Sequence, residues 1–208
     1  MLSTYKSVIR NKNFVYLWAS QIFSQLTINI MNFVFFIKLF EVTGSAISTS
    51  LLWVSYALPA ILIGPFASGI LDLVDKRKIL VITNFLQSLT IFIYAFLSGS
   101  GIFLLYGVVF VYSFLNQFYV PSEISTLPFV LKKKELVQGN SLFFITQQGS
   151  LVLGYGIAGL LVSVLGFRTT LFLCSIFLFI AFVSTTFLPS NAPQKTTPKL
   201  LEDTVVGF

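Results

Sequence analysis

Long apolar stretches alternate with short polar connections along almost the whole chain. Six such stretches lie at positions 14–37, 46–71, 79–97, 102–120, 142–165 and 169–188. An α-helix rises about 1.5 Å per residue, so about 20 apolar residues cross the hydrocarbon core of a bilayer. The strict alternation of apolar and polar positions that a membrane β-barrel requires does not persist in these stretches. The pattern therefore predicts an all-α membrane protein in which six transmembrane helices form one bundle.

Composition supports this prediction and outlines the domain organisation. Hydrophobic residues make up 56% of the 208 positions and charged residues only 10%. A water-soluble domain with so few charges would expose large apolar patches. We expect a cytoplasmic N-terminal segment at 1–13, the bundle at 14–188 and a cytoplasmic linker at 189–208. The linker is predicted because the composition becomes polar and proline-rich there.

The basic residues predict the orientation of the chain. If the N-terminus is cytoplasmic, all of the 13 Lys and Arg residues except Lys38 and Arg168 fall on the cytoplasmic side. Cytoplasmic loops of membrane proteins carry such an excess of Lys and Arg. We therefore expect a multi-pass protein of the plasma (inner) membrane with both ends in the cytoplasm. The net charge of +6 then faces anionic lipid, and no nucleic-acid partner is needed to explain it.

Several kinds of chemistry are excluded by what the sequence lacks. The chain has no His, and its only Cys, Cys174, lies within the sixth apolar stretch. A His/Cys metal site, a disulfide framework and a Cys/His nucleophile are therefore ruled out. We expect no metal, no cofactor and no enzymatic activity.

Three glycines in the fifth stretch match the spacing of a dinucleotide-binding motif. Gly154, Gly156 and Gly159 spell GxGxxG, but that motif works only between a strand and a helix N-terminus. Here the match lies in the middle of a predicted transmembrane helix, where small residues let neighbouring helices approach closely. We therefore predict that these glycines are helix-packing positions.

The first apolar stretch carries a row of amide side chains. Gln21, Gln25, Asn29 and Asn32 recur at helical spacing, so most of them share one face. An amide inside a membrane is costly unless it is hydrogen-bonded or meets water. Two interpretations are open: the row lines a substrate cavity, or it forms hydrogen bonds between helices and binds no ligand.

One acidic residue, Glu123, lies near the end of the fourth stretch, between Pro121 and Pro128. A carboxyl group within the membrane can act as a proton carrier. Alternatively, Glu123 forms an ion pair with the basic residues 132–134 at the membrane surface. The two flanking prolines favour the surface position and hence the ion pair.

The polar connection after the second stretch concentrates charge in a short segment. It holds two acids followed by three bases: Asp72, Asp75, Lys76, Arg77 and Lys78. From Ser68 onward this segment resembles the loop signature of the major facilitator superfamily, GxxxDRxGRR. Its middle is closer to the DRxDRR of a drug-efflux branch related to macrolide and enterobactin exporters. The segments 10–26 and 121–141 are also similar to that branch, so the resemblance extends from residue 10 to residue 190.

The resemblance implies a mechanism and roles for the loop residues. It implies a secondary transporter that works by alternating access, and more specifically a proton-coupled exporter of amphipathic drugs or other small molecules. In that family the acid corresponding to Asp72 caps a helix of a second six-helix half and acts in gating. The bases at 76–78 would anchor the loop at the cytoplasmic face. The expected partners are the lipid bilayer, a small-molecule substrate and protons.

Superfamily members usually contain two six-helix halves, and 208 residues accommodate the N-terminal one. Two explanations are open: the chain is a partial or truncated product that lacks its C-terminal half, or it is a half-size protein that forms a homodimer. A second class of function also stays open, in which the chain is a non-transporting six-helix membrane protein, either a remnant or a scaffold that binds a partner.

Overall fold

The computed structural model describes residues 2–71, 74–97 and 101–190. Its helices are α1 (Leu2–Arg10), α2 (Lys12–Thr43), α3 (Ala46–Leu71), α4 (Lys76–Leu97), α5 (Ile102–Val130), α6 (Leu136–Leu165) and α7 (Phe167–Thr186), with a 3₁₀ turn at Lys133–Glu135 before α6. Helices α2 to α7 each contain a segment long and apolar enough to cross a membrane. The predicted all-helical bundle with six transmembrane helices is therefore confirmed.

Two helix boundaries differ from the predicted ones. The N-terminal segment contains a short helix, α1, and Asn11 separates it from α2 by accepting hydrogen bonds from the backbone N–H groups of Asn13 and Phe14 at 3.1 and 3.3 Å. Helix α5 continues ten residues beyond the predicted end and includes Pro121 and Pro128. Each proline removes one backbone donor, which a helix packed against its neighbours tolerates.

The six spanning helices pack as a row that folds around a common core. Helix α3 packs mainly against α5, α5 also against α4, α4 against α7, α7 against α2, and α2 against α6. Helices α3 and α6 thus stand at the two ends of the row, and within the described residues they have no substantial contact with each other. The order of the row is α3, α5, α4, α7, α2, α6. If each of α2, α3 and α4 is exchanged with the helix three places later in the chain, the same order results, read from the other end.

The core consists of two apolar clusters with a polar layer between them. One cluster is centred on Phe35, Tyr94 and Tyr112, and the other contains Phe14 and Tyr119. Between the clusters, α2 and α4 bury hydroxyl and amide side chains, namely Ser20, Ser24, Thr27, Thr83, Asn84, Gln87 and Ser88. Because polar groups inside a membrane protein must find hydrogen-bond partners, this layer favours one relative position of the helices that carry it.

The predicted packing glycines have different environments. A Cβ atom at Gly154 would lie 2.6 Å from Asn29 Cβ and 3.3 Å from the Ile30 nitrogen, so α6 approaches α2 as closely as glycine permits. At Gly159 the nearest atom, on Phe33, would be 3.8 Å away, which is an ordinary contact. Gly156 is exposed and a Cβ there would meet nothing within 4 Å. Gly156 therefore makes no close contact with the described residues, and its role in packing stays a prediction.

Candidate functional site

The amide row of α2 divides into two parts. Gln21 is buried and donates a hydrogen bond to the Phe143 carbonyl oxygen of α6 at 3.2 Å, while its Oε1 atom has no partner among the described residues. Gln25 is half-buried. Asn29 lies against Gly154 and donates to the Gln25 carbonyl of its own helix at 2.8 Å. Asn29 therefore belongs to the packing of α2 on α6, whereas Gln21 and Gln25 line a cavity.

A cavity of about 220 Å³ lies where α2, α5 and α6 meet. Its polar lining comes from Gln21, Gln25, Glu123, Asn140 and Gln147, and its apolar lining from Val120, Ile124, Phe143 and Phe144. Asn32, the last amide of the predicted row, is half-buried and does not line it. The cavity joins one carboxyl group, four amides and two phenyl rings on one side of the bundle.

Glu123 lies inside the bundle and is only 3% exposed. Its Oε1 atom accepts a hydrogen bond from the Tyr119 hydroxyl, one turn earlier in α5, at 2.6 Å. No ion pair joins Glu123 to the bases at 132–134 in the described part of the chain, and those three side chains are exposed. The ion pair favoured from the sequence is therefore not found, because α5 runs past both prolines and keeps Glu123 in the packed interior.

A chain of hydrogen bonds extends from Glu123 into the polar layer. The Tyr119 hydroxyl lies 3.1 Å from the Ser20 hydroxyl, and Asn84 Nδ2 donates to that same Ser20 oxygen at 3.1 Å. Ser24 donates to Asn84 Oδ1 at 3.2 Å. Since Tyr119 donates to the carboxyl group, Ser20 donates to Tyr119. Amide and hydroxyl hydrogens of three helices thus point in sequence toward Glu123.

Three members of this chain, Ser20, Asn84 and Tyr119, were not predicted from the sequence. A signal for Asn84 exists, because Thr83, Asn84, Gln87 and Ser88 recur on one face of an otherwise apolar helix, as the amides of α2 do. Tyr119 and Ser20 are 99 positions apart, and no local pattern connects them. Within the described residues, no group of three His, Cys, Asp or Glu side chains could hold a metal ion.

Sequence comparison decides the family. The model of the Major Facilitator Superfamily matches residues 17–208. This chain belongs to the major facilitator superfamily. Its bundle accordingly corresponds to one six-helix half of the superfamily fold, and the chain is a multi-pass membrane protein.

Curated superfamily members from Bacillus subtilis (strain 168) are similar to the chain along most of its length. The uncharacterized MFS-type transporter YjbB is 28% identical over 159 residues, which is 74% of this chain and 39% of that protein. The uncharacterized MFS-type transporter YfiS is 26% identical over 205 residues, 94% of this chain and 48% of that protein. The chain therefore spans less than half the length of the curated relatives it matches.

The superfamily loop is fixed to the bundle by its second acid and its bases. Asp72 lies outside the described residues. Asp75 caps α4 by accepting the Arg77 backbone N–H at 3.0 Å, and its other oxygen accepts the Ser190 hydroxyl at 2.5 Å. The Arg77 guanidinium donates to the Thr186 carbonyl at the end of α7. Cations are favoured at helix C-termini, so this bond ties the start of α4 to the end of α7.

The other two bases of the loop differ in their contacts. The Lys76 ammonium lies 5.1 Å from the centre of the Phe129 ring of α5, which is a cation–π distance. Lys78 is exposed. The loop therefore makes its described side-chain contacts with the ends of α5 and α7 and with the segment just after α7.

Proposed function

We propose that this bundle is half of a secondary transporter that works by alternating access and exports amphipathic small molecules in exchange for protons. The observation that carries the proposal is the cavity between α2, α5 and α6. It presents a buried carboxyl group beside amides and phenyl rings, between the first half of α2, the last turns of α5 and the first turns of α6. Alternating access requires a substrate site at the junction of two halves, and we assign this cavity to that junction.

Glu123 is the proposed proton site. It is the acidic residue of the cavity lining. An ionisable group within a membrane is energetically costly, so the few that occur usually have a partner or a function. Its described side-chain partner is the Tyr119 hydroxyl, which is neutral. The row of donors from Asn84 through Ser20 to Tyr119 supports the ionised carboxylate. When the Tyr119 hydroxyl turns its hydrogen toward the Ser20 oxygen, the Tyr119 oxygen can accept from the protonated carboxyl group.

The cavity lining indicates the class of substrate. Phe143 and Phe144 offer aromatic surface, and Gln21, Gln25 and Gln147 offer amide donors and acceptors. Such a mixture suits molecules with a large apolar body and a few polar or cationic groups. The resemblance of the loop to that of drug exporters supports the same class.

A second six-helix half is proposed to cover the open side of the bundle. Only 17% of the membrane-spanning segment of α3, and the same share of that of α6, is buried, against 39% to 50% for the other four helices. The cover is supplied either by a C-terminal half or by a second copy of the chain. In this proposal the protein is in the plasma membrane, Asp72 is the gating acid that caps a helix of the second half, and Asp75 with Lys76, Arg77 and Lys78 holds the loop in place.

The proton site is tested in everted membrane vesicles from cells that express the chain together with any second half encoded after Phe208. Ethidium is added to vesicles with an established pH gradient, and proton release is followed by acridine-orange fluorescence. We expect release with the unchanged protein and none with Glu123→Gln. The matched control is Glu41→Gln, the same chemical change at an exposed position near the other end of α2.

Each result of this experiment decides something. Normal proton release by Glu123→Gln would remove that residue as the proton site. Ethidium that moves without any proton release would refute coupling. A chain that neither dimerises nor moves ethidium with any second half would favour the alternative function, a six-helix membrane protein that binds a partner.

The gating role is tested separately with Asp72→Asn at normal expression. We expect slower transport with proton coupling retained, because an acid near a helix N-terminus contributes about 0.3 to 2 kcal/mol to the closed state. Unchanged transport would remove Asp72 from the mechanism and leave the proposal for Glu123 intact.

A further inference from the structure

A second cavity lies at the end of the bundle that carries the N-terminus. Its volume is about 430 Å³, and it lies between α1 and the connection from α5 to α6. Its lining is formed by Lys6, Ser7, Arg10, Asn11, Lys132 and Glu135. None of these residues belongs to the cavity that contains Glu123, so this cleft needs a separate explanation.

Two hydrogen bonds between distant parts of the sequence build the cleft. Ser7 donates to Glu135 Oε1 at 2.5 Å, and Asn11 Nδ2 donates to the Val130 carbonyl at 2.6 Å. Between them, the side chain of Val8 is fully buried in the core. Helix α1 is thereby held against the bundle on both sides of a buried anchor, and the cleft has fixed walls.

The cleft has an excess of positive charge. The two carboxylate oxygens of Glu135 are engaged by Ser7 and by the Lys132 backbone N–H, the latter at 3.1 Å. Lys6, Arg10 and the Lys132 ammonium group are exposed, and none of them forms an ion pair within the described residues. Three cations therefore face one acid that is already hydrogen-bonded. The Arg fork suits two oxygens of one phosphate, and each Lys adds a point charge.

Exposed apolar residues lie next in sequence to the residues that form the cleft. Phe129, near the end of α5, is 59% exposed, and Val137, in the first turn of α6, is 71% exposed. These residues precede and follow the segment that contributes Lys132 and Glu135. On α1, Ile9 is 47% exposed beside the buried Val8. An exposed apolar side chain between the exposed bases Lys6 and Arg10 suits the boundary between headgroups and acyl chains.

We propose that this cleft binds the phosphate of an anionic phospholipid. Arg10, Lys6 and Lys132 contact the phosphate oxygens, and the acyl chains lie along exposed apolar residues such as Ile9 and Val137. The bound lipid fixes α1 to the connection between α5 and α6. The proposal does not depend on transport, since it concerns a site formed entirely within this half.

The experiment measures lipid binding to the full chain in detergent by native mass spectrometry. Dioleoylphosphatidylglycerol and dioleoylphosphatidylcholine are titrated separately. Both lipids carry an anionic phosphodiester group, but only phosphatidylglycerol has a net negative charge. The test variant removes the three cations that line the cleft, as Lys6→Gln, Arg10→Gln and Lys132→Gln. The control variant removes three exposed cations from the same end of the bundle that do not line it, as Lys12→Gln, Lys133→Gln and Lys134→Gln.

The unchanged chain is expected to keep one tightly bound phosphatidylglycerol and to bind phosphatidylcholine much more weakly. Each basic residue near an anionic lipid contributes a factor of about five, so the test variant should bind on the order of a hundredfold more weakly. The control variant should keep its tightly bound lipid. Equal weakening in both variants would show a diffuse basic surface and overturn the site.

Two further results would contradict the proposal without relying on the variants. Equal binding of the two lipids by the unchanged chain would mean that the cleft does not select anionic headgroups. Displacement of phosphatidylglycerol by inorganic phosphate at equal concentration would reassign the cleft to free phosphate. Helical content of each variant, measured by circular dichroism, separates a lost site from a lost fold.

Discussion

The side of the bundle formed by α4 and α7 contrasts with the side bordered by α3 and α6. The buried share of the membrane-spanning segment is 44% in α4 and 39% in α7, whereas it is 17% in both α3 and α6. Outward positions of the first pair are apolar, for example Phe85, Phe92 and Phe179. Exposed positions of α6 include Asn140 and Gln147. One side is therefore suited to lipid alone, and the other to a polar cavity or a protein partner.

The contrast shows that exposure alone does not identify a membrane protein's interfaces. Both sides have many exposed apolar residues, because lipid stabilises these residues as well as a protein core does. What differs is the position of the polar groups. Helix α4 turns Asn84 and Gln87 inward, whereas α6 leaves Gln147 on the outside. Exposed amides within a span mark the side where water or a second half is required.

Thiol labelling should separate the two sides most clearly. We expect a water-soluble maleimide to label Gln147→Cys and to leave Phe179→Cys unlabelled in membranes, because only a hydrated thiol ionises and reacts. The unchanged chain is the background control, since its Cys174 is fully buried. Labelling is read by the mobility shift of the protein. Equal labelling of the two variants would mean that the sides do not differ in hydration.

Packing at the end of the row should depend strongly on one glycine. Gly154→Ala places a methyl group 2.6 Å from Asn29 Cβ, so α6 must move away from α2. Overpacking of this kind costs about 1 to 3 kcal/mol in the free energy of unfolding. The matched control is Gly156→Ala in the same helix, where a Cβ meets nothing within 4 Å. Denaturant titration followed by circular dichroism gives both values, and equal stability of the two variants would refute the close contact.

The contact between α4 and α7 should show a smaller effect on the free energy of unfolding, shared between two side chains. Ser88 and Ser175 donate to each other's carbonyl oxygens at 2.9 and 3.0 Å, which joins α4 to α7. Each of these two bonds ends on a backbone carbonyl that the other substitution leaves in place, so a double-mutant cycle reports the contact between the two hydroxyl groups, whose oxygens lie 3.3 Å apart. The cycle with Ser88→Ala and Ser175→Ala should give a coupling of about 0.6 kcal/mol, the average for hydrogen bonds between membrane helices. Ser184→Ala, in the same helix but bonded to Tyr16, should show no coupling to Ser88→Ala. A coupling of zero for the first pair would contradict the contact between the two hydroxyl groups.

The sequence predicts the number and type of the helices well because hydropathy measures the property that the membrane selects. It predicts the ends less well. The apolar stretch ends near residue 120, and Pro121 and Pro128 favoured a surface position for Glu123, whereas α5 continues intact to Val130. That difference decided the environment of Glu123, which is buried instead of paired at the surface.

The site could be predicted only in part for a related reason. Helical spacing identified Gln21 and Gln25 as members of a polar face, and both line the cavity. The same spacing included Asn29, which is used in packing because Gly154 brings α6 against it. The hydrogen-bonded chain that ends at Glu123 comes from three helices, and the contacts between Tyr119, Ser20 and Asn84 join positions far apart in the sequence. Such contacts depend on the packing order, which no local pattern contains.

That packing order has a consequence for the origin of the fold. A unit of three membrane helices crosses the bilayer an odd number of times, so two successive units in one chain have opposite orientations. The order α3, α5, α4, α7, α2, α6 is the one expected if such a unit were duplicated and the copies packed about a two-fold axis in the membrane plane. The reciprocal bonds between Ser88 and Ser175 lie where that axis would pass between α4 and α7. An ancestral three-helix unit would then have had to insert in both directions, which the positive charges of the present chain no longer allow.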